Sequence, residues 1–131
     1  MKVSEVTEID IGAVTWRISQ NELEIAAKIE QSGASQAENT VIAGLTDCFS
    51  GAILVHPGQS ESQQRNTLWH EVFHACYDVI GGMRLGPEPS EDDVIMQVSS
   101  TLLATIRNNP NLMLALLADS ISLEVIQRRH I

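Results

Sequence analysis

Apolar positions fall into short periodic runs along this chain. From Gly12 to Ser19, Val14, Trp16 and Ile18 alternate with Thr15 and Arg17, the period-two mark of a half-buried strand. Asn21 followed by Glu24 fits a helix start, and Leu23, Ala26, Ala27 and Glu30 recur at helical spacing, although the run to Gln31 is ambiguous by periodicity. The small polar stretch from Gly33 to Asn39 reads as a loop. Val41 to Leu45 and Ala52 to Val55 are short apolar runs around the turn-like Thr46-Asp47-Cys48-Phe49-Ser50-Gly51, which predicts an antiparallel hairpin closed off by Pro57-Gly58.

Three helices are predicted after the hairpin. Ser60 with Gln63 fits a capping box, so one helix should run from there to about Ile80 and stop at Gly81-Gly82. Leu68, Val72, Ala75, Cys76 and Val79 form its apolar stripe. Ser90 with Asp93 caps a second helix whose buried stripe is Ile95, Val98, Leu102 and Ile106, broken at Asn108-Asn109-Pro110. Leu112 to Ile126 is the last apolar helix. The expected architecture is α+β: a small antiparallel sheet, made of the N-terminal strand and the hairpin, packed on the first of these helices and two further C-terminal ones. At 131 residues it should form one domain over 1–131.

Composition narrows the function classes. Apolar residues at 44% are enough for a core, and aromatics at 4% leave it to aliphatic side chains. The formal charge of −9 and the lack of any basic stripe beyond Arg128-Arg129 argue against nucleic acid as a partner. Two cysteines, Cys48 and Cys76, do not make a disulfide framework and are read as reduced. Neither a signal-peptide stretch nor an apolar run of membrane-spanning length is visible, so a soluble cytoplasmic protein is expected.

The chemistry lies in Trp69-His70-Glu71-Val72-Phe73-His74, which contains H-E-x-x-H. Residues four apart share a helical face, so His70 and His74 can ligate one tetrahedral zinc ion. Glu71 beside them can act as general base toward a metal-activated water attacking a carbonyl. The third ligand is less well marked. Asp78 follows His74 by four but lies two turns, about 12 Å, from His70, so it reads as a partner behind the ligands or a surface charge. Glu91 is seven residues before Val98 and in phase with the buried stripe. It is therefore the expected ligand, with Asp92 second and Asp93 pointing away. The same three acids also suit a helix N-terminus electrostatically. His56 and His130 read as ordinary surface histidines, and Tyr77, three past His74, as a packed tyrosine placed to donate to an oxyanion.

These residues resemble the small metallopeptidase-like proteins of the ImmA/IrrE type, especially short bacteriophage and prophage versions. The resemblance is carried by Gly44-Leu45-Thr46-Asp47, Ile53-Leu54-Val55, the run from Gln64 to His74 and Arg107-Asn108-Asn109-Pro110-Asn111-Leu112, and covers roughly residues 41 to 115. It implies a zinc-dependent fold with a small sheet beside the metal-binding helix, His70 and His74 as zinc ligands, Glu71 as general base and an acidic third ligand on the next helix. Where the longer relatives have a Glu followed by an Ala-rich helix, this chain has Glu91-Asp92-Asp93 before Val94-Ile95. The resemblance also implies a protein or peptide substrate, such as a repressor-like regulator. The leading expectation is thus a zinc peptidase whose hairpin edge holds an extended substrate by strand addition. Its small size leaves room for a partner or a homo-oligomer to complete the cleft. The alternative is a non-catalytic zinc-containing regulatory binding module, which a site open to a fourth ligand disfavours.

Overall fold

The computed structural model describes residues 1–32, 42–80, 88 and 90–118. A short 3₁₀ turn at Val3–Glu5 leads into β1 (Glu8–Ile11) and β2 (Val14–Ser19), then α1 (Glu22–Ser32), β3 (Gly44–Asp47), β4 (Ala52–Val55), α2 (Glu61–Ile80), α3 (Glu91–Asn108) and α4 (Pro110–Leu116). The fold is α+β, as expected. The expected last helix from Leu112 to Ile126 instead starts at Pro110 and ends at Leu116, with Leu117 as its cap, and the loop 33–39, the glycine stop at Gly81-Gly82, the segment beyond Ala118 and His130 lie outside the described residues. Among the described residues, no helix is long and apolar enough to cross a membrane.

The sheet differs from the expected antiparallel one. Its strand order is β1-β2-β4-β3, and β2 pairs with β4 in parallel, Ile18 opposite Ile53, so the sheet is mixed. The chain passes through α1 and returns along β3 before β4 joins β2, which sets β4 in the same direction as β2. The extra strand β1 carries only two inward residues, Ile9 and Ile11, too short an alternation to stand out in sequence. Val14, predicted inward, is exposed because it opens the strand beside the Gly12 turn, where a φ of +60° favours glycine.

Helices cover both faces of the sheet. On one face Ile9, Ile11, Trp16, Ile18, Ile53 and Val55 pack against Leu68, Val72, Ala75 and Cys76 of α2 and Leu112 and Ala115 of α4. On the other face Ala52 and Leu54 pack against Ile25 of α1, with Ile29 and Leu45 beside them. All four residues of β4 are therefore buried, and this explains its continuous apolar run. Each such side chain contributes about 1.5–3 kcal/mol relative to exposure.

Predicted caps form where expected. The Asn21 carboxamide accepts from the Glu24 N–H at 3.0 Å, Ser60 from Gln63 at 3.2 Å and Ser90 from Asp93 at 3.1 Å. On α3, Val98 is buried and Leu102 and Ile106 are half-buried, but Ile95 is 54% exposed. The inward stripe thus fades over the first turns of α3.

The two sheet edges differ. The outer edge of β1 is met by Asn109, at the corner between α3 and α4. Its carboxamide accepts from the Asp10 N–H at 2.8 Å and donates to the Asp10 carbonyl at 2.7 Å, pairing with the edge as a strand residue would. β3 forms the opposite edge and pairs with β4 alone among the described strands.

Candidate metal centre

A polar clamp places α2 against β3 and β4. Gln59 donates to the carbonyls of Ala43 and His56, both at 3.0 Å, and accepts from the Thr67 hydroxyl at 2.9 Å. Buried Gln64 donates to the Gln59 carbonyl at 2.9 Å and accepts from Gln20 at 2.8 Å. The first two turns of α2 are thereby tied to the ends of β2 and β4 and to the start of β3. The following turn carries His70, Glu71 and His74.

Close approach of α2 to β3 requires glycine at position 44. A Cβ there would lie 2.5 Å from Thr67 Cγ2, 2.9 Å from the Leu54 carbonyl oxygen and 3.1 Å from Glu71 Cγ. Glu71 is consequently 6% exposed, although it is a carboxylate on the second helix of a sheet protein. The Thr46 hydroxyl lies 2.6 Å from its Oε2 and 3.1 Å from its main-chain carbonyl oxygen, so one hydroxyl proton is shared by two acceptors of the same residue. Thr46 thus fixes the orientation of the Glu71 carboxylate through Oε2.

His70 and His74 are exposed on the next part of the same surface. Their rings meet edge to face, with centroids 4.8 Å apart and an interplanar angle of 67°. The two Nε2 atoms are 3.1 Å apart. Two nitrogens on one tetrahedral zinc at 2.0–2.1 Å lie about 3.3 Å apart, so the pair is already close to the spacing one ion needs. These residues fit zinc as two of its ligands.

No family model, curated protein or solved structure matches this chain.

The predicted third ligand is not gathered with the histidines. Among the described residues, no three or more His, Cys, Asp and Glu side chains converge on one point. Glu91, Asp92 and Asp93 are all exposed in the first turn of α3, a helix that packs on α2. His56 is engaged locally, its Nδ1 accepting from the Gly58 N–H at 2.9 Å.

A cleft of about 380 Å³ opens between β3 and α2, walled by Gly44, Leu45 and Thr46 on one side and Glu71, His74 and Tyr77 on the other. Cys48 and Asp78 also line it. The cleft walls desolvate the Cys48 thiolate and the neighbouring Asp78 carboxylate disfavours its charge, which together push the thiol up to about 11. Cys48 is accordingly a neutral thiol at physiological pH. Cys76 is buried in the core beside Thr105, and burial raises its thiol. Gly44, Thr46 and Cys48 had no assigned role in the sequence, since their importance comes from what α2 brings next to them. In the sequence, Gly44 fell in the predicted strand and Thr46 in the predicted turn, whereas β3 runs through both, from Gly44 to Asp47.

Proposed function

We propose that this protein is a zinc-dependent peptidase acting on an extended segment of a peptide or protein. One observation carries the reading: His70 and His74 turn their Nε2 atoms to within 3.1 Å of each other, on the same helix as a nearly buried carboxylate. His70 and His74 hold the metal, and Glu91 is the proposed third protein ligand, from the helix that packs on α2. When bound, zinc supplies Lewis-acid polarisation of a carbonyl and a nucleophile available at neutral pH.

The chain's own residues supply the rest. Glu71 accepts a proton and returns it to the leaving amine, while Thr46 holds Oε2 and sets the carboxylate's orientation. Tyr77, 38% exposed in the cleft wall, is placed to donate to developing negative charge. The outer edge of β3, without a strand partner among the described residues, would pair with an extended substrate backbone and lay it across the cleft.

Metal analysis after chelator-free purification tests the first half of the proposal. About one zinc per chain is expected, lost in His70→Ala and in His74→Ala, and weakened in Glu91→Ala more than in Asp92→Ala or Asp93→Ala. Metal content near zero in the unaltered protein would remove the proposal. Glu71→Gln tests the second half, because it should retain zinc while hydrolysis falls by a factor on the order of 10² to 10⁴. Unchanged biological activity in that variant, with zinc bound, would replace the peptidase by a zinc-containing binding module.

A further inference from the structure

The cleft beside the histidines does not end at Asp78. A second cleft of about 440 Å³ continues from it, walled by Val14, Thr15, Trp16 and Phe49, and shares Cys48 and Asp78 with the first. Asp78 therefore stands where the two join, one helical turn beyond His74 on the same side of α2. Phe49, fully exposed at the β3–β4 turn, overhangs the second cleft.

Charge along this path is one-sided. Among the described residues, no Lys or Arg lines either cleft. The cations close to the sheet are engaged with other acids, Arg17 with Glu24 and Lys28 with Asp47. Among the described residues, the partner found for Asp78 is the neutral thiol of Cys48. A carboxylate in a long cleft lined by no cation among the described residues, on a chain of formal charge −9, is complementary to a positive side chain brought by a ligand.

The spacing gives that side chain a position. β3 and the turn after it run alongside α2 in the same direction: Gly44 abuts Thr67 and Glu71, Thr46 bonds Glu71, and Cys48 lines the same clefts as Asp78. From His74 to Asp78 the helix rises about 6 Å, and from Glu71 about 10 Å. A strand advances about 3.3 Å per residue, so two or three residues cover that distance.

We infer that Asp78 is a specificity residue selecting extended peptides with a Lys or Arg about three positions from the residue held at Glu71. This rests on the cleft being the peptide site proposed above, and adds the class of peptide it takes.

The test is binding to zinc-loaded, full-length Glu71→Gln protein, which separates recognition from hydrolysis. Fluorescence anisotropy would compare extended peptides that differ only in carrying Lys, Gln or Glu at one position, scanned along the peptide. The Lys peptide should bind about tenfold or more tightly than the Gln peptide at one register, with the Glu peptide weakest and the difference shrinking as salt rises. Adding Asp78→Asn should erase the Lys-over-Gln difference with the melting temperature unchanged, since Asp78 is exposed, and Asp78→Lys should favour the Glu peptide. Equal binding of Lys and Gln peptides at every register, no binding of any peptide, or a preference that survives Asp78→Asn would overturn the inference. Selective binding together with absent hydrolysis by the Glu71 protein would remove the peptidase reading and leave this one standing.

Discussion

Thr46 on the edge strand and Glu71 on α2 are joined by a hydrogen bond of 2.6 Å, with the glutamate 6% exposed. The contact ties the carboxylate of the motif to the strand proposed to receive substrate. Thr46→Val keeps the shape and removes the donor, so Glu71 loses its orientation and one of its hydrogen bonds. A hydrogen bond to a charged group contributes about 1.5–3 kcal/mol, and a loss of stability toward the lower end is expected because the cleft admits water. Thr46→Ser should restore the bond. Chemical denaturation of the three proteins, with zinc content measured alongside, checks this: equal stability of Thr46→Val and the unaltered chain would show that the bond holds nothing in place.

Gly44→Ala should disturb the site more than its size suggests. The added methyl meets the Leu54 carbonyl oxygen at 2.9 Å and Thr67 Cγ2 at 2.5 Å, and backbone cannot turn aside as a flexible side chain can. α2 must move away from β3, at a cost of about 1–3 kcal/mol as for other overpacked sites. The motif helix shifts with it, so zinc affinity should drop together with melting temperature. An alanine variant with unaltered melting and metal affinity would mean that α2 stands further from β3 than described.

At the other edge of the sheet, Asn109→Ala removes two hydrogen bonds to the Asp10 backbone and one to the Thr105 carbonyl. These groups are near solvent, so water replaces part of the loss and a destabilisation of about 1–2 kcal/mol is expected. Zinc content should not change. Hydrogen exchange at Asp10 should quicken, and protection as strong as in the unaltered chain would contradict the pairing.

Acid should loosen the turn between β3 and β4 before neutral conditions touch it. Asp47 is bound by Lys28 at 2.7 Å and by the Ser50 hydroxyl at 2.6 Å, which with the Ser50 N–H lower it from 3.8 to about 2. Because the folded value is the lower one, its stabilisation is complete above about pH 4 and fades as pH falls toward 2. Asp47→Asn should therefore melt earlier than the unaltered chain at pH 6, with the gap closing across that acid range. A gap of constant size down to pH 2.5 would rule out Asp47 as its source.

Local pattern determined the helices, their caps and the H-E-x-x-H spacing, because each depends on residues within a few positions of one another. Ser60 and Ser90 accept from residues three further on, and the four-residue step of His70 and His74 is enough to bring their rings together. The mixed order of the sheet was not readable in this way. Whether β4 pairs in parallel with β2 depends on where the chain returns after α1, and its fully apolar sequence suits burial between two helical layers in either direction. Tertiary structure alone joined Thr46 to Glu71, Asn109 to Asp10 across 99 positions, and Cys48 to Asp78. Each brings a polar side chain to a group far away in the chain, which no local pattern records. The same holds for the third ligand: helical phase aimed Glu91 inward, but phase describes a direction around one helix axis, and how far that end of α3 lies from the two histidines depends on how the whole helix packs.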